Sequence, residues 1–182
     1  MIIDDFPRDL LMTGAIFGIA AFVWAGWAQE RPPKPGIWRV ILGVLSLGGA
    51  ALAGVSLPTA IRNWELPTAI TWGGAASTWY VIVFWIEVVA IIVLAIWATR
   101  RRRGDLIAPL VLAVVGIHFI PLAWVFMQPV FVFAGVLLTV AAAVAALVPD
   151  RDAARSFWCG IVAAPILLIV GVSCAVIAFG AL

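Results

Sequence analysis

Hydrophobic residues are concentrated in six long runs along the chain, and short polar segments separate the runs. The runs lie near residues 10–29, 37–60, 77–98, 106–127, 129–148 and 157–180. Each is close to the length of about 20 residues that an α-helix needs to cross the apolar core of a bilayer. Only Gln128 and Pro129 separate the fourth run from the fifth, and because proline disrupts a helix interior, a tight reversal is expected there.

Composition excludes most classes of soluble protein. Hydrophobic residues make up 65% and charged residues 11% of the 182-residue chain, against roughly 45–50% and 25% in soluble domains. So few charges cannot cover the surface of a water-soluble globule, which excludes a soluble enzyme and a nucleic-acid-binding protein. We expect an all-α integral membrane protein, in which residues 1–182 form a single transmembrane domain of six bundled helices.

Positive charges are divided unevenly between alternate loops, and this division predicts the orientation of the bundle. The amino-terminal segment and the second and fourth loops carry only Arg8 and Arg62, and the other Lys and Arg residues lie in or beside the first, third and fifth loops: Arg31, Lys34, Arg39, Arg100, Arg101, Arg102, Arg103, Arg151 and Arg155. Because cytoplasmic loops are enriched in Lys and Arg, the loops with Arg31, Arg100–Arg103 and Arg151 are expected to be cytoplasmic and both termini to lie outside. With ten Arg and one Lys, the chain is typical of a GC-rich bacterial genome, so the expected location is the bacterial inner membrane.

The longest loop, near residues 61–76, has two interpretations. It contains Trp64, Glu65 and the Gly73–Gly74 pair, and it can either cap an outward-facing cavity or lie in the membrane interface. Tryptophan is enriched at membrane interfaces, and most tryptophans of this chain, Trp24 included, fall near predicted helix ends. The interface is therefore the favoured interpretation.

Small residues mark faces on which helices can approach closely. Gly14 and Gly18 have the GxxxG spacing in the first helix, and Gly49 and Ala53 share a face of the second. Such residues let two helix backbones come into contact. Packing within the monomer is the favoured interpretation, and a homodimer through these faces is the alternative.

Only two strongly ionisable side chains fall deep inside the predicted spans, Glu87 in the third helix and His118 in the fourth. Ionisable groups are costly in lipid and mark functional sites by default. The two residues lie roughly 16 and 18 Å from the predicted cytoplasmic ends of their helices. Because these helices are antiparallel and consecutive, the two side chains are predicted to meet near the membrane midplane.

Polar residues continue from this pair toward the outer side. Tyr80 and Ser77 lie seven and ten residues before Glu87 on the same helix face, and Gln128 lies ten residues after His118. The corresponding positions toward the cytoplasm are apolar. The sequence therefore predicts a cavity that opens to the outer face, has the pair at its floor and is sealed on its cytoplasmic side.

Pro121 is a further candidate site residue because it lies three residues after His118, on roughly the same face. Proline cannot donate a hydrogen bond to the carbonyl of Ile117, so the helix is expected to bend beside the histidine. A bend and a free carbonyl group are both suited to a binding site.

Three functions remain open for the pair. Burial disfavours the charged form of each group whereas an opposite charge favours it, so together they can hold one proton. This property suits transport or binding of a small solute, including proton-coupled transport, which is the preferred hypothesis. The alternatives are an intramembrane enzyme or lipid-binding protein that uses the pair for proton transfer, and a structural or partner subunit in which the pair joins two helices.

Motifs for other chemistry are absent from the sequence. One His and one Glu fall short of the three protein ligands of a typical catalytic zinc, and no serine-nucleophile pattern occurs. We therefore expect no metal, no cofactor, no assigned catalytic residue and no nucleic-acid partner. The expected partners are membrane lipids and a small hydrophobic or cationic ligand.

Overall fold

A computed structural model describes residues 1–182 and consists of helices joined by short loops, with no strands. The long helices are α1 (Pro7–Trp27), α2 (Pro35–Arg62), α3 (Ala75–Arg100), α4 (Ile107–Val125), α5 (Val130–Leu147) and α6 (Arg155–Gly180). One turn of 3-10 helix, Gly104–Leu106, leads directly into α4. All six spans are long and apolar enough to cross a membrane, and their ends lie within three residues of the predicted ends.

Proline and backbone geometry account for several helix ends. Pro7 and Pro35 are the first residues of α1 and α2, where the missing N–H of proline would have no helical partner in any case. The reversal between α4 and α5 is as tight as the sequence indicates, because Met127 takes a left-handed conformation with φ 53°. The amide of Gln128 then donates to the carbonyl of Ala123, and α5 begins at Val130.

The six helices are packed unevenly. α1 has its most extensive contacts with α6 and α2, and α4 has its most extensive contacts with α5. α5 also packs on α6, whereas α3 packs along α4 and has no extensive contact with any other long helix. α3 is therefore an edge helix, and a space is left between it and α1.

Glycine contacts hold the tightly packed helices together. A Cβ atom at Gly49 would lie 2.5 Å from the carbonyl oxygen of Gly18, and one at Gly18 would lie 2.8 Å from the amide nitrogen of Ala53. The faces that include Gly14 and Gly18 on α1, and Gly49 and Ala53 on α2, therefore pack against each other within one chain. Gly116 and Gly135 make a similar close approach between α4 and α5.

The three positively charged loops meet at one end of the bundle, which we call the basic end. Arg31 forms an ion pair with Asp150, and Arg155 forms one with Asp105. These pairs join the α1–α2, α3–α4 and α5–α6 connections. The first, third and fifth connections thus lie at the same end of the bundle, as the hydropathy pattern predicts.

The amino-terminal segment is attached to the opposite end of the bundle. The side-chain amide of Gln128 donates to the carbonyl of Ile3 over 2.6 Å, and its oxygen accepts from the amide of Ile3 over 3.1 Å. Gln128 is 1% exposed. A buried amide costs free energy unless it is hydrogen-bonded, and here the Ile3 backbone supplies both partners.

Replacing Gly49 by alanine is expected to destabilise the bundle, because the new methyl group meets backbone atoms of Gly18 and Phe22 that cannot rotate away. Overpacking of this kind costs about 1–3 kcal/mol. The control is Gly54→Ala on the same helix, where nothing lies within 4 Å of the new Cβ atom. Thermal unfolding of the detergent-solubilised protein should show a lower midpoint for Gly49→Ala only, and equal midpoints would contradict the α1–α2 contact.

Candidate functional site

Glu87 and His118 lie side by side inside the bundle. Nδ1 of His118 is 3.4 Å from Oε1 of Glu87, and the two side chains are 14% and 17% exposed, respectively. Glu87 lies twelve residues after the first residue of α3, which places it about 18 Å along that helix. Because α3 and α4 pack along each other and the two residues lie at similar depths, their side chains are in contact.

A cavity of about 410 Å³ surrounds the pair, and three helices form most of its wall. α3 and α4 contribute Glu87 and His118, as the sequence predicts, but α1 provides a third side. Half of the 14 lining residues are aromatic: Phe17, Trp24, Tyr80, Phe84, Phe119, Phe126 and Phe131. The polar groups of the lining are few: Thr13, Tyr80, Glu87 and His118.

The contribution of α1 was missed in the sequence, although a signal for it is present. Thr13, Phe17, Ala20 and Trp24 all line the cavity, and their spacings of four, three and four residues place them on one helix face. Trp24 is expected near the membrane interface, yet its side chain is only 5% exposed and lies inside the bundle. Because Trp24 lies near a helix end, the sequence suggested an interface position and not an inward orientation.

A second cavity of about 160 Å³ continues from the first toward the end of the bundle opposite the basic end. Both cavities are lined by Thr13, Ile16, Tyr80 and Phe126. Tyr80 therefore lies between them, and Ser77 lines the second one. These positions agree with the polar track that the sequence indicates along α3.

The loop over residues 63–74 lines this second cavity, as the first of its two interpretations expects, and its position in a membrane interface stays a prediction. The carboxylate of Asp9 accepts hydrogen bonds from the hydroxyl of Thr68 and the amide of Ala69, both over 2.7 Å. Arg8 donates to the carbonyl of Trp64 over 2.7 Å and lies over its ring. Asp9 is 5% exposed, so a buried carboxylate at the start of α1 holds the loop in place.

Two of the predicted site residues lie outside both cavities. Gln128 is directed toward the amino-terminal segment. There the backbone N–H and C=O groups of Ile3 give its buried side-chain amide both hydrogen-bond partners. Pro121 lies inside α4, which continues through it, and it lines an apolar groove on the other side of the α3–α4 contact together with Trp79 and Trp124. His118 lies at the edge of the cavity face of α4, whose other residues include Val115, Phe119 and Leu122, and Pro121 is rotated about 60° from His118 in the opposite direction.

Two stacked tryptophans close the cavity on the side of the basic end. The rings of Trp24 and Trp27 are 5.4 Å apart and nearly parallel. Trp24 lines the Glu87–His118 cavity, whereas Trp27 lines a separate polar cavity of about 560 Å³ that also contains Glu30, Asp105 and Arg155. The sequence predicts an apolar closure on this side. It does not predict the polar cavity beyond the closure, which the structure shows.

The hydrogen bonding of the pair is incomplete. Nδ1 of His118 is buried and makes no hydrogen bond of acceptable geometry, although the Glu87 oxygen lies 3.4 Å from it. A small shift of either side chain would bring a proton on one group within hydrogen-bond distance of the other. No group of three or more His, Cys, Asp or Glu side chains is arranged to hold a metal ion.

Comparisons with known proteins leave the function to be argued from this geometry. No family model matches the sequence, and neither a curated protein nor a solved structure is significantly similar to it.

Replacing Asp9 by asparagine is expected to loosen the loop over residues 63–74, because the amide has one acceptor oxygen where the carboxylate has two, so either the hydroxyl of Thr68 or the amide of Ala69 loses its acceptor. Leaving such buried donors unpaired costs about 1–3 kcal/mol. A cysteine introduced at the partly buried Ile70 should then react several-fold faster with a water-soluble thiol reagent, while the native cysteines stay buried.

The matched control for this experiment is Asp5→Asn, which changes an exposed carboxylate that has no hydrogen-bond partner. Equal labelling rates at position 70 in the Asp9→Asn variant and the parent protein would show that Asp9 does not hold the loop.

Proposed function

We propose that this protein is a multi-pass membrane carrier that binds a small solute in the Glu87–His118 cavity and couples its movement to a proton held by the pair. The observation that carries the proposal is the 3.4 Å approach of a carboxylate and an imidazole in the middle of a 410 Å³ cavity. Ionisable groups at such depth are costly, and they mark proton and substrate pathways.

The proton is the part of the proposal that the chemistry of the pair supports most directly. Either group alone would lose much of its charged form in a medium of low dielectric constant, whereas each favours the charged form of the other. The neutral pair and the ion pair have the same total charge and the same proton count. A proton can therefore pass between the two groups without a net charge being left in the bundle.

The incomplete hydrogen bonding argues against a purely structural role. A contact that served only to join α3 and α4 would gain most from full hydrogen bonding, because a buried polar atom without a partner destabilises the fold. Nδ1 of His118 has no such partner, and the space beside the pair is large enough for a ligand.

The asymmetry of the lining supports a cavity that extends toward the outer face, where the loop over residues 63–74 covers it. Polar lining continues toward the loop over residues 63–74 through Tyr80 and Ser77, whereas Trp24 and Trp27 separate the pair from the basic end. We take the basic end as cytoplasmic by the excess of Lys and Arg in its loops, and the membrane as a bacterial inner membrane. Both termini then lie outside.

The first test measures the proton leak that the carrier allows when no solute is bound, in proteoliposomes that contain a pH-sensitive dye and carry an imposed proton gradient. The parent protein should collapse the gradient faster than empty liposomes do, and Glu87→Gln should reduce the rate to that of empty liposomes, because the amide cannot exchange a proton. Glu65→Gln, in the exposed part of the loop, is the control and should keep the parent rate. A parent rate equal to that of empty liposomes, or full flux in Glu87→Gln, would contradict the proposal.

A second test concerns the closure beside the pair. Trp24→Ala removes the ring that separates the midplane cavity from the polar cavity at the basic end, so the proton leak in the same assay should rise several-fold. The control is Trp85→Ala, which removes a tryptophan that is 58% exposed on α3 and should leave the leak unchanged. If Trp24→Ala folds normally and its leak equals that of the parent, the tryptophan pair is not the closure.

A further inference from the structure

We propose that the solute is a lipophilic organic cation, which reaches the cavity from the bilayer through the space between α1 and α3 and displaces a proton from Glu87. This inference rests on the proposed function, since it names the class of solute for the same site. Three independent observations carry it: the charges that face the cavity, its aromatic lining and the place where it opens.

The charge balance of the cavity favours a cation. Glu87 is the only carboxylate in the lining, and no Lys or Arg is among the lining residues. The titratable groups that face Glu87 are His118 from α4 and Tyr80 from its own helix, while the lining residues of α1 and α5 contain none. An anionic solute would meet no fixed positive charge, so it is disfavoured.

The fixed positive charge of the adjoining second cavity is already engaged. Arg8 lines the second cavity rather than the first. It lies beside the buried Asp9 and is bonded to the carbonyl and the ring of Trp64. Arg8 therefore contributes to holding the loop and is not free to neutralise Glu87.

The aromatic lining suits a cation with an apolar body. Rings of Trp, Tyr and Phe attract an organic cation that lies within about 6 Å of the ring centre, and the attraction is stronger when water is excluded. Phe17, Phe119 and Phe131 form a cluster with centroids 5.1–5.9 Å apart, and the His118 ring lies 4.5 Å from that of Phe119. A cation held between this cluster and Glu87 meets ring faces on one side and a carboxylate on the other.

The opening of the cavity faces the lipid. Ile16 on α1 and Phe84 on α3 line it, yet they are 49% and 45% exposed, respectively, on the outer surface of the bundle. The two helices have no extensive contact with each other, whereas the loop held by Asp9 covers the end of the bundle. A molecule that partitions into the bilayer therefore has a wider route to Glu87 than a strictly water-soluble one.

Exchange with a proton keeps the site neutral. In the empty cavity the carboxyl group of Glu87 holds the proton, because an unpaired charge is costly in an apolar interior. When the cation binds, the O–H bond of the carboxyl breaks, the proton leaves to water and the carboxylate pairs with the cation, while His118 stays neutral. No other bond is formed or broken, and no net charge is left in the bundle in either state.

The test uses benzyltrimethylammonium, a permanent cation, and neopentylbenzene, which has the same shape without the charge. Radiolabelled benzyltrimethylammonium should bind to the purified protein in lipid nanodiscs and release one proton per cation bound, as measured with a pH dye in weak buffer. Its affinity should rise about tenfold per pH unit as long as the empty site is protonated, which is the linkage expected for one exchanged proton. Neopentylbenzene should not displace the label.

Variants separate the carboxylate from the fold. Glu87→Gln should lower the affinity for benzyltrimethylammonium at least about tenfold and abolish proton release, whereas Glu87→Asp keeps a carboxylate and should retain both. Glu65→Gln is the control, and normal elution of each variant shows that it is folded. No binding of the cation to the parent protein, binding that is independent of pH, equal displacement by neopentylbenzene, or unchanged binding in Glu87→Gln would each overturn the inference.

The outcomes also distinguish this inference from the proposed function. Proton flux that depends on Glu87, without binding of the cation, would leave the carrier in place and exclude the class of solute. Cation binding that depends on Glu87, without proton flux when a gradient of the cation is imposed, would establish the site as a binding site and exclude the carrier.

Discussion

A carboxyl group in the middle of α3 must find a polar neighbour inside the bundle, since neither lipid nor apolar side chains can solvate it. His118 is the neighbour that α4 provides, and the contact determines which face of α3 is directed inward. Tyr80 and Ser77 lie on that same inward face, whereas Trp85 on another face is 58% exposed. The orientation of the edge helix, and with it the lining of the cavity, therefore follows from one interaction.

The space around the pair has a steric origin. Glycines bring α1 close to α2 and α4 close to α5, but α3 contains no glycine and carries Tyr80 and Phe84 on the side of α1. Large side chains keep helix axes apart, and packing in membranes has no strong hydrophobic drive to close the space that remains. The cavity thus lies between α1 and α3, where aromatic side chains take the place of the glycines that bring the other helices close together.

Hydropathy and depth were sufficient to predict the six helices and the approach of Glu87 to His118, because both depend on distance along single helices. The remaining features depend on contacts between distant segments. Gln128 was assigned to the cavity by spacing, yet the amino-terminal segment that satisfies it is 125 residues away in sequence. Asp9 was placed outside the first span, and only the folded loop reveals it as a buried carboxylate.

A carrier needs its binding site to be closed on one side while it is open on the other, and the two closures of this bundle differ in chemistry. The loop over residues 63–74 is held by a buried carboxylate and an arginine, whereas Trp24 and Trp27 close the other side by ring contact alone. Both closures involve α1, at its first and last turns. A tilt of α1 relative to α3 and α4 would therefore act on both at once. The proton that we propose at Glu87 would lie between them, where its presence or absence changes the charge that such a tilt would expose.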